Sequence, residues 1–359
     1  GENVRKFEDE FSDYTKSKHS IAVTSCTTAL YLSLVANNFS YNDEAIVPAF
    51  TWISSANVVE HLGGKVKFCD IDINTFNIDP KKIEKCITKK TKIIIVVHLF
   101  GLPANMDEIM KIANKYNLAV VEDAACGLGS YYKKTHVGNF GITGCFSFHP
   151  RKSITTGEGG MITTNDGNLA RKLRVLRDHG AQISDFQRHH GPKPYLLPEF
   201  TEAGFNFRMT DIQGSLGLSQ MRRLKKILKE RAEIAKRYDH GLEKISWIGT
   251  PTFNSDFIHG YQSYPCLFKI SKMTSEDINF TNKKRNIFME NLEALGISTR
   301  PATHAVHMLK FFKEKYNLKP MDFPNAYVAN NCSVSFPLYN GLTLEEQDYV
   351  INHIKNQKE

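Results

Sequence analysis

Long apolar runs are missing from this chain. No stretch of its 359 residues approaches the roughly 18 consecutive apolar positions that a transmembrane helix needs, so no membrane partner is expected. Tryptophan occurs twice and cysteine seven times, and no two cysteines stand in a Cys-x-x-Cys spacing. The odd, scattered set (Cys26, Cys69, Cys86, Cys126, Cys145, Cys266 and Cys332) argues against a disulfide scaffold. It fits a reducing, cytoplasmic compartment. The histidines and cysteines show no metal-ligand spacing, so no metal is expected. No Gly-x-Gly-x-x-Gly follows a predicted strand, which disfavours a nicotinamide dehydrogenase. No repeat or low-complexity segment occurs, and no signal peptide is visible. The chain opens on Gly1 and not on Met, which makes a missing upstream segment the expectation.

Charge of one sign is present but not concentrated. The net charge of +8 is spread over short clusters: Lys81–Lys82, Lys89–Lys90, Arg222–Lys229 and Lys283–Arg285. They form no single basic arm and match no nucleic-acid motif, so no nucleic-acid partner is expected. A lysine-rich surface or an anionic small molecule accounts for the balance. With 41% hydrophobic residues, the chain buries a core without staples, and its length suggests two domains.

Residues 1–250 alternate between helical and extended patterns. Asn3 to Tyr14 carries Val4, Phe7 and Phe11 at helical spacing. Ile93–His98 is a continuous apolar run of the kind found in parallel strands covered on both faces. The alternation predicts an α/β fold: a mostly parallel central sheet with helices on both faces. A long helix is expected over 210–242, followed by a boundary near Gly249–Pro251. Residues 251–359 then form a smaller α+β C-terminal domain, with a strand at 262–270, a helix at 283–295 and a last helix after Thr343. The polar stretch 180–203, with His189 and His190, reads as a long functional loop.

Four segments carry chemistry. Lys152 follows an apolar strand and precedes Gly157-Glu158-Gly159-Gly160. With a lowered pKa, an amine there forms a Schiff base with a carbonyl; the plain alternative is a surface lysine near a turn. Asp123 ends the strand Val120-Val121-Glu122-Asp123. An acid at a strand's carboxyl end suits a protonated ring nitrogen, or caps the next helix. Ser25-Cys26-Thr27-Thr28 stands between a strand and a helix start, either as a phosphate turn or as a helix cap. Trp52 follows another strand end and either stacks on a flat ring or packs in the core. A phosphate cradle, a stacking ring, an acid and a lysine together are the groups that pyridoxal phosphate requires.

These motifs resemble those of the DegT/DnrJ/EryC1/StrS family of sugar aminotransferases, pyridoxal-phosphate enzymes of fold type I. Ser147–Gly160 is similar to the family's lysine motif, Glu122-Asp123-Ala124-Ala125 to its ring-nitrogen motif, and Thr51-Trp52 to its stacking pair. The resemblance implies Lys152 and Asp123 as catalytic residues. It implies a cofactor set of Ser25, Cys26, Thr27, Thr28, Trp52, Asp123, Cys126, Ser147, Lys152 and Asn206. Arg177-Asp178-His179-Gly180 and Gly204-Phe205-Asn206-Phe207-Arg208 also match, and in the family that Asn reaches the partner subunit's cofactor phosphate. A homodimer with shared active sites is thereby implied. His179, Arg300 and His307 are the implied substrate contacts. The chain departs from the pattern at Cys26, where the family has Gly. It departs again at Cys126, where the family has Gln or His beside the cofactor's phenolic oxygen.

The implied reaction moves an amino group from an amino acid, glutamate by resemblance, to a keto sugar. The implied acceptor is a nucleotide-linked 4-keto or 3-keto deoxyhexose, for surface glycan or secondary-metabolite amino sugars. A lysine at 152 argues for transamination over the family's dehydratase branch, which carries His there. A small phosphorylated or other non-nucleotide ketone is the alternative acceptor. A non-catalytic pyridoxal-phosphate-binding regulator is the alternative role.

Overall fold

A computed structural model of the chain describes residues 1–182, 195 and 197–357. Seven strands form the central sheet: β1 (His19–Val23), β2 (Glu44–Pro48), β3 (Lys65–Cys69), β4 (Thr91–Val97), β5 (Ala119–Asp123), β6 (Thr143–Ser147) and β7 (Gly160–Thr164). Their spatial order is β1-β7-β6-β5-β4-β2-β3. The five strands from β6 to β3 pair in parallel. Only β7 runs against its neighbours, pairing antiparallel with β1 and with β6. Apart from Lys92, β4 is buried along its whole length, as the apolar run predicts for a strand covered on both faces. The mostly parallel α/β sheet expected from the alternation is the fold observed.

Helices α1 (Glu2–Thr15), α2 (Cys26–Ala36), α3 (Ser54–His61), α4 (Met106–Tyr116) and α5 (Gly167–Arg177) pack on this sheet. The apolar stripe of α1 buries Val4, Phe7 and Phe11. Phe7 meets Phe148 at 5.1 Å and Phe11 meets Phe146 at 5.0 Å between ring centroids, which seats α1 beside β6 and the lysine loop. Aromatic pairs at this spacing add to the area they bury.

The helix expected over 210–242 is two helices, α6 (Asp211–Met221) and α7 (Leu224–Leu242). At the joint the Arg223 N–H reaches back only to the Gln220 carbonyl, a tight turn that re-aims the chain. The two segments bury their stripes in different places. Leu218 of α6 and Leu224 at the start of α7 join Phe7 and Phe11, whereas Ile234, Ala235, Tyr238 and Leu242 farther along α7 join the C-terminal core. Gly217 lets α6 come close to α1, since a Cβ there would lie 2.6 Å from the Phe7 ring.

Beyond residue 245, strands Ile248–Gly249, β8 (Tyr264–Phe268) and β9 (Ser333–Phe336) form an antiparallel sheet. Helix α8 (Ser275–Ala294) starts eight residues before the expected 283. Its buried stripe includes the polar Thr281 and Arg285, which hides the period from a hydrophobicity reading. The Arg285 guanidinium donates to the Ser333 carbonyl at 2.6 Å. The last helix, α9 (Leu344–Asn356), starts at the expected Thr343 cap, whose hydroxyl accepts from the Glu346 N–H. The segment His304–Ala305 returns to the central domain and pairs with Phe50–Thr51 just past β2. Among the described residues, no helix is long and apolar enough to cross a membrane.

Candidate active site

The carboxyl ends of β1, β2, β5 and β6 open on one edge of the sheet, where ligands bind in open α/β folds. Ser25 sits in extended conformation after β1 and caps α2. Its hydroxyl accepts from the Thr28 N–H at 3.1 Å, while the Thr28 hydroxyl accepts from the Ser25 N–H at 3.0 Å. The first N–H groups of α2, at Cys26 and Thr27, have no intrahelical acceptor, as at any helix start. The start of β7 packs directly on this turn, because a side chain at Gly160 would come within 2.4 Å of the Ser25 backbone. The Thr27 hydroxyl donates to the Ser54 hydroxyl at 3.0 Å.

Asp123 ends β5 and is buried. Its carboxylate accepts from the Ser55 hydroxyl at 2.7 Å and the Ala125 N–H at 3.2 Å, with the Cys26 sulfur at 3.9 Å. None of these partners is a cation. Glu122 points to the other face of the sheet, as strand alternation requires. There it meets His98 at 2.9 Å and accepts N–H bonds at 2.7 Å from Gly138, Phe140 and Gly141. It thereby ties the entry into β6 to the strand that carries Asp123.

Lys152 lies on the loop after β6, which folds back through Phe148 N–H to Gly159 O at 2.9 Å and Lys152 N–H to His149 O at 2.9 Å. Its amine donates to the Cys126 sulfur at 3.2 Å. Lost hydration pulls this ammonium's pKa down, but the acidic groups of Cys126, Cys26 and Asp123 outweigh that and hold it above the ordinary lysine value. The lowered pKa expected from the sequence is therefore not what the surroundings produce. Ala125, Cys126, Ser147, Lys152 and Gln262 line a small cavity at this point. Buried Arg231 on α7 fixes its outer wall by donating to the carbonyls of Tyr261 and Gln262.

These residues fit pyridoxal phosphate. A primary amine lines the cavity, a buried carboxylate hydrogen-bonded only by neutral groups acts on that amine electrostatically, and a helix start with free N–H groups stands against the Gly160 turn. Trp52 is 53% exposed beside them, so the core-packing alternative for this ring does not hold.

The remaining expected site residues are placed less uniformly. Phe205 and Phe207 stack on each other at 4.9 Å and turn toward Tyr31, which leaves Asn206 exposed between them. His179 is exposed at the end of α5 in a left-handed conformation, φ 57°. Arg300 is exposed, and its guanidinium donates to the Thr299 carbonyl. His307 requires a correction. It is fully buried, bonded to the Pro320 carbonyl at 3.3 Å and packed edge-on to Phe323, so it supports the wall and does not face an incoming acceptor. His189 and His190 lie outside the described residues.

Sequence reasoning missed Ser55, Arg231 and His304. The His304 ring lies 5.8 Å from the Trp52 ring, brought there by the strand pairing with Phe50–Thr51. The Ser54-Ser55 pair just after Trp52 was the available signal for Ser55. Among the described residues, no cluster of His, Cys, Asp or Glu could hold a metal ion.

The chain is similar to known proteins over nearly its whole length. It is 37% identical to the GDP-perosamine synthase of Caulobacter vibrioides, covering 98% of this chain and 89% of that one. It is 35% identical to the spore coat polysaccharide biosynthesis protein SpsC of Bacillus subtilis, covering 99% and 90%. Among solved structures, the putative sugar aminotransferase Spr1654 of Streptococcus pneumoniae in its PMP form aligns with a TM-score of 0.88 at 27% identity, covering 99% and 91%. Its PLP form aligns with a TM-score of 0.87. With a family model matching residues 1–355, the chain belongs to the DegT/DnrJ/EryC1/StrS aminotransferase family and is a pyridoxal-phosphate-dependent aminotransferase.

Proposed function

We propose that the protein is a sugar aminotransferase that takes an amino group from glutamate and delivers it to a nucleotide-linked 4-keto or 3-keto deoxyhexose. The observation that carries the reading is the buried Asp123 carboxylate, hydrogen-bonded only by neutral groups, close enough to the inward-facing amine of Lys152 to act on its charge. The polysaccharide and perosamine activities of the relatives support the sugar as acceptor.

Bound pyridoxal phosphate supplies an electron sink that lets an amino group pass from donor to acceptor. Lys152 would hold the cofactor's carbonyl carbon between cycles and, when released, move the proton at the reacting carbon. Asp123, oriented by Ser55, would keep the ring nitrogen protonated. Trp52 would cover one ring face. The Cys26–Thr28 turn and Ser147 would hold the phosphate, joined by Asn206 of the partner subunit in a homodimer. Residues 251–359 would form a smaller domain that closes over the acceptor, with Arg300 and His304 at the mouth and His179 on the other side. Seven free thiols support a reducing compartment and cytoplasmic localisation.

The test loads the protein with pyridoxal phosphate, converts it with glutamate, and offers a panel of nucleotide-linked keto hexoses, read by mass. The expected result is a gain of the amino group on one of them. 2-Oxoglutarate release without conversion of any sugar would point to a non-nucleotide ketone. Bound cofactor without 2-oxoglutarate release would point to a regulator.

A further inference from the structure

Cys126 stands on a turn that leaves it little freedom. The turn closes through Gly127 N–H to Ala124 O at 2.8 Å and Ser130 N–H to Gly127 O at 3.0 Å. Asp123 braces it from inside by accepting the Ala125 N–H. Gly101 and Gly127 allow neighbours to press on it: a Cβ at Gly101 would lie 3.1 Å from the Cys126 carbonyl, and one at Gly127 2.6 Å from Val137. The Cys126 backbone is thus tied to Asp123 by hydrogen bonds within one short segment. The loop after β6 brings Lys152 from the facing wall, and its amine ends 3.2 Å from that sulfur. Among the described residues, the Cys126 sulfur is the hydrogen-bond partner of this amine.

We infer that Cys126 is a positioning residue for Lys152, a thiol that holds the ε-amine in the cavity and sets the pH at which it becomes a neutral nucleophile. This rests on the reading of Lys152 as the cofactor lysine. A cysteine suits the task by its chemistry. A carboxylate in its place would hold the lysine as a permanent ammonium, and an apolar residue would leave the buried amine without a partner. Sulfur is a weak acceptor whose proton can be shared with an amine, so it opposes release of the lysine only weakly.

The charged and titratable groups around the pair come from every packed element. They are the Cys26 thiol from the β1 turn, the Asp123 carboxylate from β5 and the Arg231 guanidinium from α7. Burial drives the Cys26 thiol well above the ordinary thiol range. Asp123 is fixed by Ser55 and Ala125, and Arg231 by the carbonyls of Tyr261 and Gln262. Cys126 is therefore the contact whose removal leaves burial of Lys152 least opposed. Its loss should lower the lysine's pKa.

The experiment uses the cofactor-free protein, so that the readout is the lysine itself and not turnover. Lys152 is reductively methylated with formaldehyde and cyanoborohydride at a series of pH values, and the modified peptide is quantified by mass. Only the neutral amine reacts. In Cys126→Ala the midpoint should move to lower pH by about one unit. In Cys126→Ser, where a hydroxyl accepts the hydrogen bond better than sulfur does, it should stay at or above the wild-type value. The cofactor-loaded variants should show the same order in a pH titration of the lysine-bound cofactor's absorbance. A midpoint unchanged in both variants, or a serine variant that behaves like alanine, overturns the inference. If alanine fails to fold, the serine variant against wild type decides. The sugar panel cannot mimic this result: an unmoved midpoint with intact sugar conversion sinks only the pairing, and a moved midpoint with no sugar conversion sinks only the acceptor.

Discussion

The Ser55 hydroxyl donates to the Asp123 carboxylate at 2.7 Å, across the gap between the start of α3 and the end of β5. The same hydroxyl lies 3.3 Å from the Thr51 hydroxyl. Asp123 is held in one orientation by neutral donors, which leaves its charge available to a protonated ring. Removing the bond with Ser55→Ala should cost on the order of 1.5 kcal/mol, a hydrogen bond to a charged group, and weaken pyridoxal phosphate binding about tenfold. Fluorescence titration of the cofactor checks this. Unchanged affinity would mean that the bond does not serve the cofactor.

Lys152→Ala should abolish the absorbance near about 420 nm of lysine-bound cofactor and reduce amino transfer by roughly a thousandfold or more. A spectrum and a glutamate half-reaction suffice. Near-normal turnover would remove Lys152 from the reaction.

Asn206 is exposed and makes no contact with the Lys152 cavity of its own chain. If two copies share their sites, Lys152→Ala and Asn206→Ala chains should complement when unfolded and refolded together. Mixed dimers then carry one intact site in two, so activity should recover to about a quarter of wild type. Activity no higher than the average of the two parents would contradict sharing.

His304 reaches Trp52 from the C-terminal segment. His304→Ala should slow the acceptor half-reaction about tenfold while leaving the glutamate half-reaction within about twofold. Equal slowing of both halves would argue that it only supports Trp52.

Stability should fall on mild acidification through His136. Burial lowers its pKa to about 4, and the neutral ring accepts from the Gly129 N–H at 3.0 Å with its other nitrogen on the Val137 carbonyl. The unfolded chain protonates this ring near pH 6.5, so the stabilisation is complete above that pH. It is lost as pH falls toward 4, on the order of 3 kcal/mol in all. Thermal midpoints measured from pH 7 to 4.5 should decline, and His136→Gln should flatten the slope. An equal slope in the variant would assign the acid sensitivity elsewhere.

Much of the fold was legible because it is written in contiguous residues. The Ile93–Val97 run, the Phe7 and Phe11 stripe and the Thr343 cap each occupy less than a few turns of chain. The break at Arg222–Arg223 was not legible, because no proline or glycine marks it between residues 218 and 240. The early start of α8 was hidden by a buried threonine, Thr281, in its first turns.

The amino-acid sequence by itself determined the chemistry: a lysine after one strand, an acid ending another, a hydroxyl-rich helix start and a ring at a third strand end. Each is a local pattern of residue type and spacing. Tertiary structure alone decided which groups meet. Ser55 faces Asp123 from 68 positions away, and Cys126 faces Lys152 from 26. His304 lies over Trp52, while His307, three residues on, is turned into the core. Such contacts depend on strand order and loop path, which no short window of sequence contains.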